Sequence, residues 1–322
     1  MHRRQVIVGA GAAAAVAVAG LARAQDVWPS RPIRLVVPYP PGGNVDKIAR
    51  YLTDRMGQSL GQRVFIDNKP GAQTVIGLEN AMRAAPDGYT LVAAANTSLN
   101  ILPHIRQVPY SPFESFEAVA ELGVFLSMMA VPTESPVNTV REFIAYAKAR
   151  PGQLSYASVG QGSFANLAME GLKHEFGLHI VHIPYRGTGD LLSAALGRQV
   201  DVVIEPQILP HVKSGRMRAI AAYMPVRHPE MPEVPTIIEA GVTKPVAAPD
   251  CGLFVPKGTP AAIVERLNAE VKRIMAEPEA AASMRGNSAV PAYAAGKDYM
   301  ARLKADSVYN AQIIKVAGIK DQ

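Results

Sequence analysis

The amino-acid sequence predicts an α/β fold in two lobes, each a mostly parallel sheet flanked by helices, and three observations carry that expectation. Short runs rich in branched residues alternate with segments whose apolar residues recur at helical spacing, the order that builds parallel sheets. The alternation occurs in two successive sets, with an apolar stretch at 122–131 between them and a proline-rich stretch at 225–250 after the second. Three strand-to-helix junctions also share one form, a run of small residues: PYPPGGNVD (38–46), ASVGQGSF (157–164) and PYRGTGD (184–190).

In order, IRLVVPY (33–39) reads as a strand, and Val45, Ile48, Ala49, Leu52 and Met56 mark the helix after it. RVFIDN (63–68), a helix through 76–82, a Pro86-Asp87-Gly88 turn and YTLVAAA (89–95) complete a βαβαβ unit. The second set has a helix over 139–149, the strand 154–160 and a helix carrying Phe164, Leu167, Ala168, Leu172 and Phe176. It continues with strand 179–185, helix 190–196, strand 200–205, helix 207–214 and strand 217–223. Strand 252–256 follows, then helix 260–276, started by Thr259-Pro260, and a last helix near 297–315. The chain is expected to cross between lobes near 124–130 and return near 220–250, leaving the first lobe discontinuous. The boundaries are set at 25–126 with 247–322 for lobe one and 127–246 for lobe two. Ligands of such folds lie beyond the carboxyl ends of the strands and in interdomain clefts.

The N-terminus has the parts of a secretory signal. Met1-His2-Arg3-Arg4 is basic, the apolar run from Val6 to Leu21 is short for a membrane span at about 16 residues, and Ala22-Arg23-Ala24 is a cleavage site. Residues 1–24 are therefore expected to be removed as the protein is exported; Sec and twin-arginine export both stay open. Loss of Arg3, Arg4 and Arg23, with no acid in that stretch, lowers the formal charge from +6 to +3. No long basic block remains and aromatic residues are sparse, so a nucleic-acid partner is not expected. Cys251 is the one cysteine, which rules out an internal disulfide.

The three small-residue loops could hold an anion through backbone N–H groups at helix N-termini. None is a Walker loop, because Lys47 follows Asp46 without the required glycine spacing, and VGQGSFA supplies two of the three glycines of a dinucleotide fingerprint. GQGSF is not a nucleophile elbow, and Ser163 fits better as the N-cap of its helix. His174 and His179 are separated by about 140° around a helix, so with Glu175 and His182 they make no zinc helix. No metal and no cofactor is expected. Asp46 has two readings: a first-turn acid favourable to the helix dipole, or an acceptor for a donor on a ligand. Arg186, beside glycine at a loop tip, is either a solvated charge or an anion contact.

The same loops carry a resemblance that covers essentially all of 25–322. WPSRPIRLVVPYPPGGNVDKIAR (28–50), NKPGAQTVIG (68–77), RAAPDGYTL (83–91), ARPGQLSYASVGQGSFANLA (149–168), VHIPYRGTGDLL (181–192) and LFVPKGTPAAIVERLNAEV (253–271) are similar to the periplasmic solute-binding proteins of tripartite tricarboxylate transporters, the Bug family. The resemblance implies a periplasmic-binding-protein clamshell, type II-like, that captures a small carboxylate between its lobes. It hands the ligand to a large and a small membrane subunit, acts as a monomer and catalyses nothing.

Carried over residue by residue, the resemblance places Tyr39, Gly42, Gly43, Asn44 and Asp46 in the first carboxylate loop. It places Asn96, Thr97 and Ser98 after the third strand, and Ser158, Gly160, Gln161, Gly162 and Ser163 in the second loop. Tyr185 and Arg186 match a further loop, and Glu205 stands in a segment, 203–211, that is shorter than is usual in the family. Two other roles stay open for this clamshell: a sensor subunit that presents its closed form to a histidine kinase, and a hydrolase using Ser98 or Ser163.

Overall fold

The computed structural model describes residues 28–285 and 288–320; the expected signal segment lies outside them. Two sheets organise the chain. The first has the order β11-β4-β10-β3-β1-β2, built from β1 (Ile33–Val37), β2 (Val64–Asn68), β3 (Thr90–Ala95), β4 (Phe116–Phe125), β10 (Asp250–Pro256) and β11 (Ala289–Pro291). The second has the order β7-β6-β8-β5-β9, from β5 (Met128–Pro132), β6 (Leu154–Ser158), β7 (Ile180–Pro184), β8 (Val202–Glu205) and β9 (Met217–Ala222).

Both sheets are mixed, which corrects the expectation of mostly parallel ones. β1 pairs in parallel with β2 and β3, and β6 with β7 and β8, as the βαβ order requires. The strands that receive the chain after each crossing, β5 and β10, run the other way, as does β11. β10 is antiparallel to β3 and β4, β11 to β4, and β5 to β8 and β9. The expected strand at 122–131 is accordingly two strands, β4 and β5, with Leu126 and Ser127 between them. The chain returns to the first sheet between β9 and β10.

Period-two alternation sets the core. Ile33, Leu35 and Val37 face one side of β1 and pack on Val45, Ile48, Leu52 and Met56 of α1 (Asn44–Leu60), whereas Val36 faces the other side with Val92, Phe254 and Tyr299. Each such fully buried aliphatic side chain contributes about 1.5–3 kcal/mol. The second sheet has equivalent cores on both faces, one against Val140 and Phe143 and the other against Leu191 and Ala195. Helix positions follow the sequence closely: α5 spans Val140–Lys148, α6 Phe164–Phe176 and α9 Ala261–Met275. The expected cap at 259 is different in detail, since the Thr259 hydroxyl donates to the Pro256 carbonyl at 2.8 Å and α9 begins just after Pro260 without a side-chain cap. The last helix, α11 (Gly296–Ala317), packs on β4 and reaches the second lobe, where Tyr309 donates to the Lys244 carbonyl at 2.6 Å. Among the described residues no helix is long and apolar enough to cross a membrane.

Candidate functional site

A cavity of about 530 Å³ lies where the two sheets' loops meet. The first lobe lines it with Pro38-Tyr39-Pro40, with the turn at Pro70, Gly71, Gln73 and Thr74, and with Thr97, Ser98, Ile101, Leu102 and Ile105. The second lobe contributes 159–163, and Lys320 completes the wall. The lobes touch here: a Cβ placed on Gly162 would come within 2.1 Å of Ile105 Cδ1.

The first loop leaves β1 through two prolines and turns at Gly42, whose φ of 84° a side chain would disfavour. Asp46, in the first turn of α1, faces back into this loop and not into the cavity. Its carboxylate accepts from Gly42 N at 2.8 Å, Arg50 Nε at 2.8 Å, Arg50 Nη2 at 3.2 Å and Asn68 Nδ2 at 2.8 Å. Burial alone would raise its pKa, but the hydrogen bonds from Arg50, Asn68 and Gly42 outweigh that and hold it below the usual carboxylate range. Asn68 also donates to the Tyr39 carbonyl at 3.1 Å. Asp46 thus acts as a loop clamp, which corrects the ligand-acceptor reading: with its lone pairs taken and its surface fully buried, it has nothing left to offer a ligand.

Tyr39 does line the cavity. Its hydroxyl lies 3.0 Å from Ser98 Oγ and accepts from Ala95 N at 3.2 Å, and burial pushes its pKa up to about 12, so it is a neutral donor at any ordinary pH. Asn96 is a second correction. Its amide donates to the Ala248 carbonyl at 3.0 Å and to Asp250 Oδ2 at 3.2 Å, and its carbonyl accepts from Asp250 N at 3.3 Å. This locks the β3 loop to the strand returning from the second lobe and turns Asn96 away from the cavity. Asp250 is itself pushed up to about 7, mainly by burial.

In the second loop Ser163 caps α6 as expected, accepting from Asn166 N at 3.4 Å and donating to the Gly160 carbonyl at 2.7 Å. Gly162 N donates to Asn166 Oδ1 at 2.9 Å, while Gly160 and Gly162 take φ of 123° and 73°. Ser158 lies beneath, fully buried, with Oγ 2.6 Å from His182 Nε2 and bonded to both Gly160 backbone groups. That pair pins the loop, and neither residue lines the cavity. Ser98 and Ser163, the serines that do reach the cavity, have no histidine or carboxylate within hydrogen-bonding distance among the described residues. No described group of three or more His, Cys, Asp or Glu could hold a metal.

Of the residues expected at the site, the structure therefore brings together Tyr39, Thr97, Ser98, Gly160, Gln161, Gly162 and Ser163. Gly42, Gly43 and Asn44 stand behind the first loop, which they shape. Tyr185 packs beside the second sheet and donates its backbone N–H to the Ser158 carbonyl at 2.8 Å, so it supports the second loop from outside the cavity. Arg186 is exposed and does not line the cavity. Glu205 ends β8, buried and outside the lining; its carboxyl, pushed up to about 7 by burial, accepts only Gln207 N at 3.4 Å. Sequence reasoning missed the 70–74 turn and Lys320. The turn had a signal, since Pro70-Gly71 sits between strand and helix as the other loops do, and residues 71–74 all take positive φ.

Comparison with known proteins identifies the family and the fold. The family model described as the tripartite tricarboxylate transporter family receptor matches residues 48–319. A protein of Cupriavidus necator, described as a UPF0065 protein in the gbd 5′ region, is 37% identical over 98% of this chain and 97% of its own length. BugT of Bordetella pertussis is 34% identical over 87% of each. A TctC solute-binding protein from Polaromonas superimposes with a TM-score of 0.82 at 29% identity, covering 89% of this chain and 99% of that one. Rpa4515 of R. palustris, solved with adipate, gives 0.73 at 29% identity over 91% and 99%, and MatC of Rhodopseudomonas palustris, solved with malate, 0.69 at 27% over 89% and 100%. With this match over most of its length and a two-lobed fold of the same kind, the chain belongs to the tripartite tricarboxylate transporter receptor family, the TctC or Bug group of periplasmic solute-binding proteins.

Proposed function

We propose that this protein captures a small organic carboxylate in the cavity between lobe one (25–126 and 247–322) and lobe two (127–246) and delivers it to the large and small membrane subunits of a tripartite transporter. The observation that carries the reading is the cavity wall: both lobes supply it, and its groups are hydroxyls, amides and glycine-loop backbone, with an ordinary cation only at Lys320. Such a wall binds a carboxylate by many neutral donors; a ligand that touches both lobes favours their closure by its differential contacts. Micromolar affinity needs about −8 kcal/mol, within reach of several charge-assisted hydrogen bonds after ordering costs. Adipate in Rpa4515 and malate in MatC support a carboxylate as the chemical class. The protein works as an exported monomer cut near Ala24, and no bond in the ligand is made or broken.

The test is a thermal-shift screen of the protein purified from the periplasm of an expressing host, against mono-, di- and tricarboxylates, with mass spectrometry of each mixture. A ligand at 100 times its Kd adds about 2.7 kcal/mol of stability. A shift with the compound recovered intact and an N-terminus at Gln25 is the expected result. Conversion of the compound, or a chain found only in the cytoplasm, would overturn the proposal.

A further inference from the structure

Among the described residues Lys320 is the one Lys, Arg, Asp or Glu on the cavity wall, and it comes from neither carboxylate loop. Its place is set by the end of α11. Gly318 closes the helix in the left-handed region with φ 65°, and Ile319 N returns to the Ile314 carbonyl at 3.0 Å, the pattern of a Schellman cap. Ile319 is 7% exposed and packs with Ile101 of the first lobe, Leu167 of the second and Val246 of the returning crossover. An apolar anchor shared by both lobes therefore places Lys320 on the cavity wall. Three cations of the elements that carry the loops are paired elsewhere: Arg50 with Asp46, Lys69 with Asp67 and Lys173 with Glu170. Lys320 forms no ion pair with a described carboxylate.

We infer that Lys320 is the residue that reads ligand charge in this cavity. The glycine-rich loops and hydroxyls receive one carboxylate through neutral donors, and the Lys320 ammonium favours ligands with a second anionic group at the far end. The inference rests on the proposed carboxylate-binding reading and adds a specificity determinant to it. Because the ammonium is exposed, its contribution is a modest, salt-screened one.

The experiment measures Kd by calorimetry for glutarate, adipate and malate and for the monoamide of each, with the parent protein, Lys320→Gln and Lys320→Arg, at low and high salt. For the diacid that binds tightest, Lys320→Gln is expected to weaken binding about fivefold and to flatten its salt dependence. Its monoamide should bind both proteins equally, and Lys320→Arg should restore the diacid preference. An equal loss for diacid and monoamide, or no loss for either, overturns the assignment while leaving the carboxylate receptor intact. Parent protein that binds none of the six compounds, nor any carboxylate in the thermal screen, overturns both.

Discussion

After β1, the cavity loop is held by charge: the buried Asp46 carboxylate collects Gly42, Arg50 and Asn68 around itself. After β6, a loop of the same outline is held without any ionised group, by Ser158, His182, Ser163 and Asn166. Burial depresses the His182 pKa, so that side remains neutral near pH 7. The two loops show that a strand, a glycine turn and a helix N-terminus specify the shape, while the clamp beneath is free to differ. Neither loop places a charged side chain on the cavity wall, and the one carboxylate beside them, Asp46, is taken up by Gly42, Arg50 and Asn68.

The comparison breaks most sharply at its charged half. Asp46→Ala leaves Gly42 N and Asn68 Nδ2 without their acceptor in a buried place, and should cost about 2–3 kcal/mol by urea denaturation, with weaker binding as a secondary effect. The sign with pH follows from the depressed pKa. The clamp's contribution is present above the unfolded-state value of Asp46 and is lost as pH falls through the lower folded one, so parent and variant stabilities should converge in acid. A variant as stable as the parent would show that the loop holds its shape unaided.

Next comes Gly162→Ala, which puts a Cβ at φ 73° and against Ile105 of the facing lobe. It should lower stability by about 1 kcal/mol and binding at least tenfold, because the wedge opposes closure. Unchanged affinity would mean the lobes do not approach through this contact.

Glu205 sharpens the neutral half. Its carboxyl is raised in the folded protein, so between about 4.5 and 7 the folded state keeps a proton that the unfolded chain has released, and stability falls as pH rises across that window. Glu205→Gln should therefore melt higher than the parent at pH 8, by roughly 1 kcal/mol, with the gap shrinking at pH 5. A gap independent of pH would show that burial of the charge is not its cause.

The smallest effect belongs to Arg186. Since it is exposed and off the cavity, Arg186→Gln should leave affinity within about twofold. A larger loss would mean that closure swings the 184–190 loop onto the ligand and that the second lobe carries a charge after all.

Much of the architecture was legible because it is local. Period-two and period-3.6 patterns placed α5, α6, α9 and most strands within a residue or two, and Ser163 could be read as a cap from its position alone. What was not legible depends on partners distant in the chain. Asn96 is a loop residue of the kind that binds ligands until Asp250 occupies it from 154 positions away. Asp46 is diverted by Asn68 in the same manner. Lys320 lies at the opposite end of the sequence from the loops it joins, and no spacing rule relates it to them. The crossover strands misled for another reason: β4 and β5 form one apolar run, and an apolar run does not reveal the direction in which its neighbours lie.

The crossing at Leu126-Ser127 bears on timing. Two residues offer about four soft backbone torsions, and hydrogen bonds flank them on both sides, from Phe125 N to the Pro249 carbonyl and from Tyr223 N to the Ser127 carbonyl. The joint is therefore short and hydrogen-bonded, and the return between β9 and β10 and the Tyr309–Lys244 contact tie the lobes at further points. If the protein closes on a ligand as proposed, such a joint belongs to hinge motions of the microsecond-to-millisecond scale, and the time a ligand stays is set by its contacts with the cavity wall.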